Sequence, residues 1–435
     1  MKRSFTPLLA LLFLLALTLT ACQPATTPPP PAELESAEDS TEADAGSTER
    51  TVVTVWMPGD EARWMMESDL PARFEEQYPQ YDVELVQFPW DGLHDKVLAS
   101  LTGGELPDVF LGADHWVGEF AALGGLEPVE GFQAEKGYEE DAFLPNAWEH
   151  FRYTDGTIYA VPAVFEARVL FYRTDLLEEA GFSAPPSTLE ELAEMGQELS
   201  NGVDQFGVAH QESWLDFHFF SWLVYAHNGD LVNEDGTACT LTEPATIEAL
   251  KYYKSLYESN IIPLDPTKRV ETFQGFIDGY YVMAESGPWW LGLLQDRSEL
   301  EGKWAATVLP SGKTELSYGH PNPWIVPAGA TNKEGAFDWI SFMLQPEIQA
   351  EWHLISGQIP VTTAAFEDER LSSNENLQPF LDSALRGTRS LRNVPNAEAI
   401  SEVVWNMLSD VRDNVAAPEQ AAADACNQIN SLLEG

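Results

Sequence analysis

"VELVQFPWDGLHDKVLASLTGGELPDVFLGADHW", residues 83–116, decides the fold class. Val83–Trp90 is a short β-rich run. Leu93, Val97 and Leu101 then recur at i, i+4 and i+8, the spacing of one helical face, and Gly103-Gly104 supplies a helix stop. Asp108–Ala113 is a second strand, and "DHWVGEFAALGG" a second glycine-stopped helix. Upstream, "TVVTVW" (51–56) is a strand that runs through "MPGDEARW" into helical spacing as far as Tyr78, closed by the turn signal "YPQYD". Strand and helix in strict alternation predict right-handed βαβ units and an α/β fold. In such sheets ligands sit at the carboxyl ends of the strands. The loops there are Met57–Glu61, Trp90-Asp91 and Asp114-His115-Trp116.

The alternation returns later with other residues. "FGVAH" (206–210) leads into the helical "QESWLDFHFFSWLVYAHNGD", which places Trp214 just past a strand end. "YYVMA" (280–284) leads through "ESGPWW" into a helix, with Pro288 suited to the first helical position. The stretch Thr51–Gly435 is long enough for two domains. No repeat of solenoid or propeller period is visible.

The first fifty residues read differently. Lys2 and Arg3 precede an apolar run to about Leu19 that is too short to span a bilayer. It ends in Leu19-Thr20-Ala21-Cys22, which resembles the lipobox of bacterial lipoproteins and implies cleavage after residue 21 and lipidation of Cys22. Residues 23–50 are rich in Pro, Ala, Thr and acid and have no apolar period. They read as a disordered tether, because they bury too little to offset their ordering entropy. The net charge of −47 argues against nucleic acid, whose binding needs Lys and Arg against phosphates. It also argues against docking on anionic lipid, so contact with a membrane would run through the anchor alone. With Cys22 lipidated, Cys239 and Cys426 remain, and an exported compartment permits a bridge between them.

A sugar ring offers C–H groups to an aromatic face and hydroxyls to carboxylates, amides and guanidinium groups. The candidate binding set has that composition: Glu61, Trp90, Asp91, Asp114, Trp116, Glu166, Arg168, Trp214, Glu285, Trp289, Trp290 and Trp324. Any one of these tryptophans can equally be a core residue, and Asp60 or Asp114 a helix cap. Motifs of zinc peptidases, P-loop nucleotide binders, serine hydrolases and paired-cysteine sites are absent from the sequence. No metal or cofactor is expected. A carboxylate pair for glycoside cleavage stays open in so acidic a chain.

Several blocks together resemble the bacterial extracellular solute-binding proteins of ABC importers, the group similar to maltose-binding protein. They are "FEEQYPQYDVELV", "LPDVFLGADHW" and "LGGLEPV", then "GTIYAVPAVFEARVLFYRTDLLEEAGFSAPPSTLEEL", "GYYVMAESGPWWL" and "ATNKEGAFDWISFMLQPEIQAEWHLISGQIPV". The resemblance implies a two-lobe periplasmic-binding-protein fold, each lobe a mostly parallel sheet flanked by helices, that closes on its ligand by hinge motion. It implies crossings near Pro162-Ala163, Asn322–Trp324 and Phe366. The lobes are then 51–162 with 324–366, and 163–323 with 367–435. It implies a sugar-binding carboxylate at Glu166, a stacking aromatic at Trp289, and sugar-contacting regions at Glu61 and Asp114. The expected partners are a mono- or oligosaccharide and a membrane permease, and the expected form is a monomeric, lipid-anchored protein facing the periplasm or cell exterior. Arg168 and the doubled Trp290 depart from the group. The same fold with a polyamine or a glycerol-phosphate ester, or a secreted carbohydrate-active enzyme, are the alternatives.

Overall fold

The computed structural model of the chain describes residues 50–434, apart from 211–215, 296 and 392. The expected signal segment, Cys22, nearly all of the tether, and Trp214 lie outside the described residues. Within them the strands are β1 (Thr51–Pro58), β2 (Tyr81–Phe88), β3 (Val109–Leu111), β4 (Val161–Ala167), β5 (Val169–Arg173) and β6 (Phe206–Ala209). They continue with β7 (Tyr281–Ser286), β8 (Trp304–Val308), β9 (Ser317–Ile325), β10 (Ile359–Pro360) and β11 (Thr388–Arg389).

β1 pairs in parallel with β2 along its whole length and with β3 over Val55 and Trp56. The connecting helix Trp90–Leu101 carries the stripe that the spacing predicts. Its Leu93 and Val97 are fully buried, and burying side chains of that size contributes about 1.5–3 kcal/mol each. Beyond β3 the direction changes. β9 lies antiparallel to both β3 and β4, and β10 antiparallel to β4, giving the order β10-β4-β9-β3-β1-β2 with β11 on β9. A second sheet has the order β6-β7-β5-β8. There β6 and β7 are parallel, and β5 is antiparallel to both its neighbours.

The α/β class and two-lobe form stand, and the sheets are mixed instead of mostly parallel. The reason is connectivity. Parallel pairing is confined to strands joined by helical crossovers and to the short β11. The strands that carry the chain out of the first sheet and back, β4 and β9, run in opposite senses. The passage outward takes a single residue: β4 ends at Ala167 in the first sheet, β5 starts at Val169 in the second, and Arg168 stands between. The return falls between Val308 and Ser317. Both changes of sheet thus sit at positions other than 162–163 and 323–324, where the resemblance places them.

One apolar core lies about the first sheet and continues onto a face of the second through Phe171, Ala284 and Trp290. Another gathers Phe219, Leu250, Ile400, Leu408 and Ile429 beside the second sheet. Among its helices are Asp216–Ala226, Pro244–Glu258, Ala397–Arg412 and Pro418–Leu433. Cys239 and Cys426 are joined by a disulfide, with Cα atoms 5.3 Å apart.

Candidate ligand-binding site

The first wall of the site is built where β1 ends. Gly59 follows with φ +49°, and a Cβ there would meet Trp90 Cδ1 at 2.9 Å and Glu61 Oε2 at 3.2 Å. Glycine is therefore needed both for the backbone turn and for the close approach of the indole. Glu61 is buried in the first turn of the helix Gly59–Glu67. It accepts a hydrogen bond from Gln358 Nε2 at 2.9 Å and another from Trp90. Burial nevertheless dominates and pushes its carboxyl up to about 7.

The floor is built from the chain crossing. Arg168 is 1 % exposed. Its Nη2 donates to Glu166 Oε1 at 2.6 Å and lies 2.5 Å from His218 Nδ1. Its Nε lies 3.7 Å from Glu285, an ion pair beyond hydrogen-bond reach. Asn322 Nδ2 donates to the other Glu166 oxygen at 3.1 Å. β4 and β9 bring these groups together by register, since Glu166 stands opposite His320. Burial and Arg168 depress His218, and burial depresses His320, so both are neutral imidazoles near pH 7. Burial raises Glu285 to about 7 against the pull of Arg168.

Trp289 forms the facing wall. The Arg168 guanidinium carbon lies 4.5 Å from the centre of its ring, within cation–π range. A Cβ on Gly287 would sit 2.0 Å from Trp289 Cζ3, so this indole can lie where it does only over a glycine. Pro288 stands directly before the helix Trp289–Gln295, one residue ahead of the first helical position the sequence suggested for it.

These groups enclose a cavity of about 260 Å³. It brings together five of the expected residues, Glu61, Trp90, Glu166, Arg168 and Trp289. Trp116 lines an adjoining cavity of about 400 Å³ that shares Trp90, Ala113 and His115 with the first. Asp114 is buried behind the wall. It pairs with His115 at 3.1 Å and His150 at 2.9 Å, and accepts from Ser390 at 3.0 Å. Glu285 backs Arg168 without lining the cavity. Two expectations are corrected outright. Trp290 is fully buried among Phe171, Phe273 and Phe276. Trp324 is buried edge-on against Trp339. Both rings complete the core and neither reaches the cavity. Asp91 lies in the helix Trp90–Leu101, its side chain outside the described residues.

Residue reading missed Trp64, His115, His218, His320, Asn322 and Gln358, all in the cavity wall. The nearest signal was "GHPNPW" in β9, polar residues inside a strand that is buried throughout. A buried polar side chain in such a strand needs a partner.

Two lobes built on separate sheets, joined at Arg168 and enclosing a buried, polar-floored cavity, define a solute-binding protein. The chain matches the family of bacterial extracellular solute-binding proteins over residues 69–379, and it belongs to that family. It is 25 % identical over 440 residues to the maltooligosaccharide ABC transporter solute-binding lipoprotein of Streptococcus pneumoniae (strain ATCC BAA-255 / R6). That alignment covers 99 % of this chain and 97 % of the relative. It is 28 % identical over 310 residues to the maltotriose-binding protein of Pyrococcus abyssi (strain GE5 / Orsay), covering 69 % and 64 %. The structure of the sugar-binding protein MalE from Xanthomonas citri superposes with a TM-score of 0.77 at 25 % identity, covering 88 % of this chain and 98 % of that one.

Proposed function

We propose that this protein is the extracytoplasmic binding component of an ABC importer and takes a neutral mono- or oligosaccharide. It has no catalysis of its own. One observation carries the choice of ligand. Around the cavity, buried donors and buried acceptors are both left without a hydrogen-bond partner among the described residues: Arg168 Nη1, and Nε apart from its ion pair with Glu285, on one side, Asn322 Oδ1 and Gln358 Oε1 on the other. Leaving such a group unpaired costs about 1–3 kcal/mol. A phosphate or carboxylate accepts only, and would leave the two amide oxygens unsatisfied. An ammonium donates only, and would leave Arg168 unsatisfied. A sugar hydroxyl donates and accepts, so a polyol answers both sets. Each two-pronged edge of a guanidinium also includes Nη2, which Glu166 and His218 already hold. Bidentate capture of an anion is therefore blocked, which counts against the glycerol-phosphate ester.

In this reading a sugar ring packs against Trp90 and the free part of Trp289 while Glu61, Glu166, Asn322 and Gln358 take its hydroxyls. Hinge closure about the crossings at Arg168 and at residues 309–316 completes the wall. Cys22 carries the lipid that holds the protein to its membrane, where permease subunits receive the cargo. The names of the pneumococcal and archaeal relatives support the sugar and the importer.

The test is thermal unfolding of the protein against a panel of sugars, polyamines and phosphate esters. A ligand of the native state at a hundred times its Kd adds about 2.7 kcal/mol. Stabilisation by one class of saccharide, with a change in tryptophan fluorescence, is the expected result. Stabilisation by a polyamine or phosphate ester alone would replace the sugar. A cooperative transition that no compound moves, with reducing ends released from a polysaccharide, would replace the binding protein by an enzyme.

A further inference from the structure

Outside the cavity, the carboxylate of Glu398 joins the two cores. Glu398 lies in the first turn of the helix Ala397–Arg412, whose Ala397, Ile400 and Val404 belong to the second core. Its Oε2 accepts from Trp116 Nε1 at 3.2 Å and pairs with His115 Nε2 at 2.7 Å. Both partners follow β3 of the first sheet, and Trp116 is part of the first core. The other His115 nitrogen pairs with Asp114 at 3.1 Å. With a carboxylate on each side, the ring has no N–H left for a ligand, yet it forms part of the cavity wall. Trp116 in turn supports Trp90, their ring centres 5.9 Å apart. One oxygen thus fixes two neighbouring groups of the wall, His115 directly and Trp90 through Trp116. Glu398 does not itself line the cavity that holds Arg168 and Trp289, and lies in the wall of the adjoining one.

We infer that Glu398 is a positioning residue: it fastens the helix of the second core to the His115 and Trp90 wall of the first, and so slows release of the bound solute. The charged groups around it agree. Burial would deprotonate His115, but Asp114 and Glu398 hold its pKa up to about 10. Burial would raise Glu398, but His115, with His94 behind it, holds it at about 2. The neutral imidazoles of His218 and His320 stand nearby, with Glu119 and Glu402 along the adjoining cavity and His150 on Asp114. The fastening therefore stays charged from mildly acid to mildly alkaline pH.

The experiment compares the protein with Glu398→Ala, Glu398→Gln and Trp116→Phe, using maltotriose as the probe for stopped-flow tryptophan fluorescence. In parallel, imidazole nitrogen shifts of His115 are followed against pH without sugar. Glu398→Ala is expected to weaken maltotriose binding on the order of tenfold, within the roughly 5- to 150-fold usual for coupled sites. The loss should fall on the release rate. Glu398→Gln keeps an acceptor oxygen and should recover most of it, and Trp116→Phe, which removes the N–H together with part of the buried indole behind Trp90, should also speed release. The pKa of His115 should fall in Glu398→Ala.

Unchanged release in a folded Glu398→Ala protein would overturn the inference. So would a loss confined to the association rate, or a His115 titration that ignores the substitution. A loss that grows with saccharide length would show Glu398 touching the ligand, and would overturn it as well. The sugar arm rests on the proposed function, and the histidine arm does not. If the unaltered protein fails to bind maltotriose, that reading suffers and the His115 titration decides this one.

Discussion

Trp289 and Trp290 are neighbours in the chain with opposite surroundings. Trp290 is enclosed by three phenylalanine rings, while Trp289 lies over Gly287 with Arg168 against its face and borders the cavity. The difference does not lie in the indoles. It lies in what each meets: Trp290 finds complementary apolar volume, and Trp289 finds a bare backbone and a buried cation. An aromatic ring becomes a binding surface where its neighbours leave part of it uncovered and polar groups surround the opening.

That contrast breaks most visibly in stability. Trp290→Ala should cost about 3–5 kcal/mol, as for other large rings removed from cores, read from denaturant midpoints at unchanged slope. Trp289→Ala should cost distinctly less stability. Equal losses in the two variants would erase the distinction.

The facing wall sharpens the comparison through pH, because the indole there, Trp90, is bonded to a carboxyl that titrates. Glu61 is held at about 7 against a usual 4.5, so the folded protein keeps this proton longer than the unfolded chain does. Stability should then fall as pH rises from about 4.5 to about 7 and level off above. Each tenfold in proton affinity is about 1.4 kcal/mol, which caps the effect near 3 kcal/mol. Glu285 and Asp216 are raised to about 7 as well, so Glu61→Gln removes only the Glu61 share of the slope, and the stability difference between variant and unaltered protein should shift in the variant's favour as pH rises across this window. His115, at about 10, and Glu398, at about 2, do not change charge there. A constant gap would mean that Glu61 is ionised throughout.

How far these features were legible follows from the range over which each is encoded. β1, β2, β3 and the Leu93–Val97 stripe were readable because their periods lie within a few residues. The sheets' mixed direction was not, since it depends on β4 meeting β9 after more than a hundred residues of intervening chain. The same holds for the floor of the site. Glu166 drew notice through the family resemblance and Arg168 as a departure from it, whereas His320 and Asn322 gained meaning only from the register opposite them. Gln358 reaches Glu61 from just beyond the helix Pro346–Ser356 and its Gly357 cap, and no local pattern predicts that. The adjacent tryptophans were a harder case: both fit an aromatic platform, and only Gly287, read as the seat for a ring, would have separated them.

Trp289→Ala tests the platform itself. By analogy with buried aromatic anchors, it should weaken saccharide binding by about 1–3 kcal/mol, measured by calorimetry with the best ligand from the panel. Unchanged affinity would remove Trp289 from the site.

Gly287→Ala then separates the ring from its seat. The added methyl would stand 2.0 Å from Trp289 Cζ3 and 2.4 Å from Cη2, so the indole must swing away while every atom of Trp289 remains. Since the indole's own contribution is the upper bound, the expected loss of affinity is no larger than that of Trp289→Ala, with overpacking costing about 1–3 kcal/mol of stability. In the double variant Gly287→Ala/Trp289→Ala the two binding losses should not add, because the methyl acts only through the ring. Additive losses would mean that the Gly287 backbone has its own part in holding the ligand, and that the seat, as well as the ring it supports, belongs to the site.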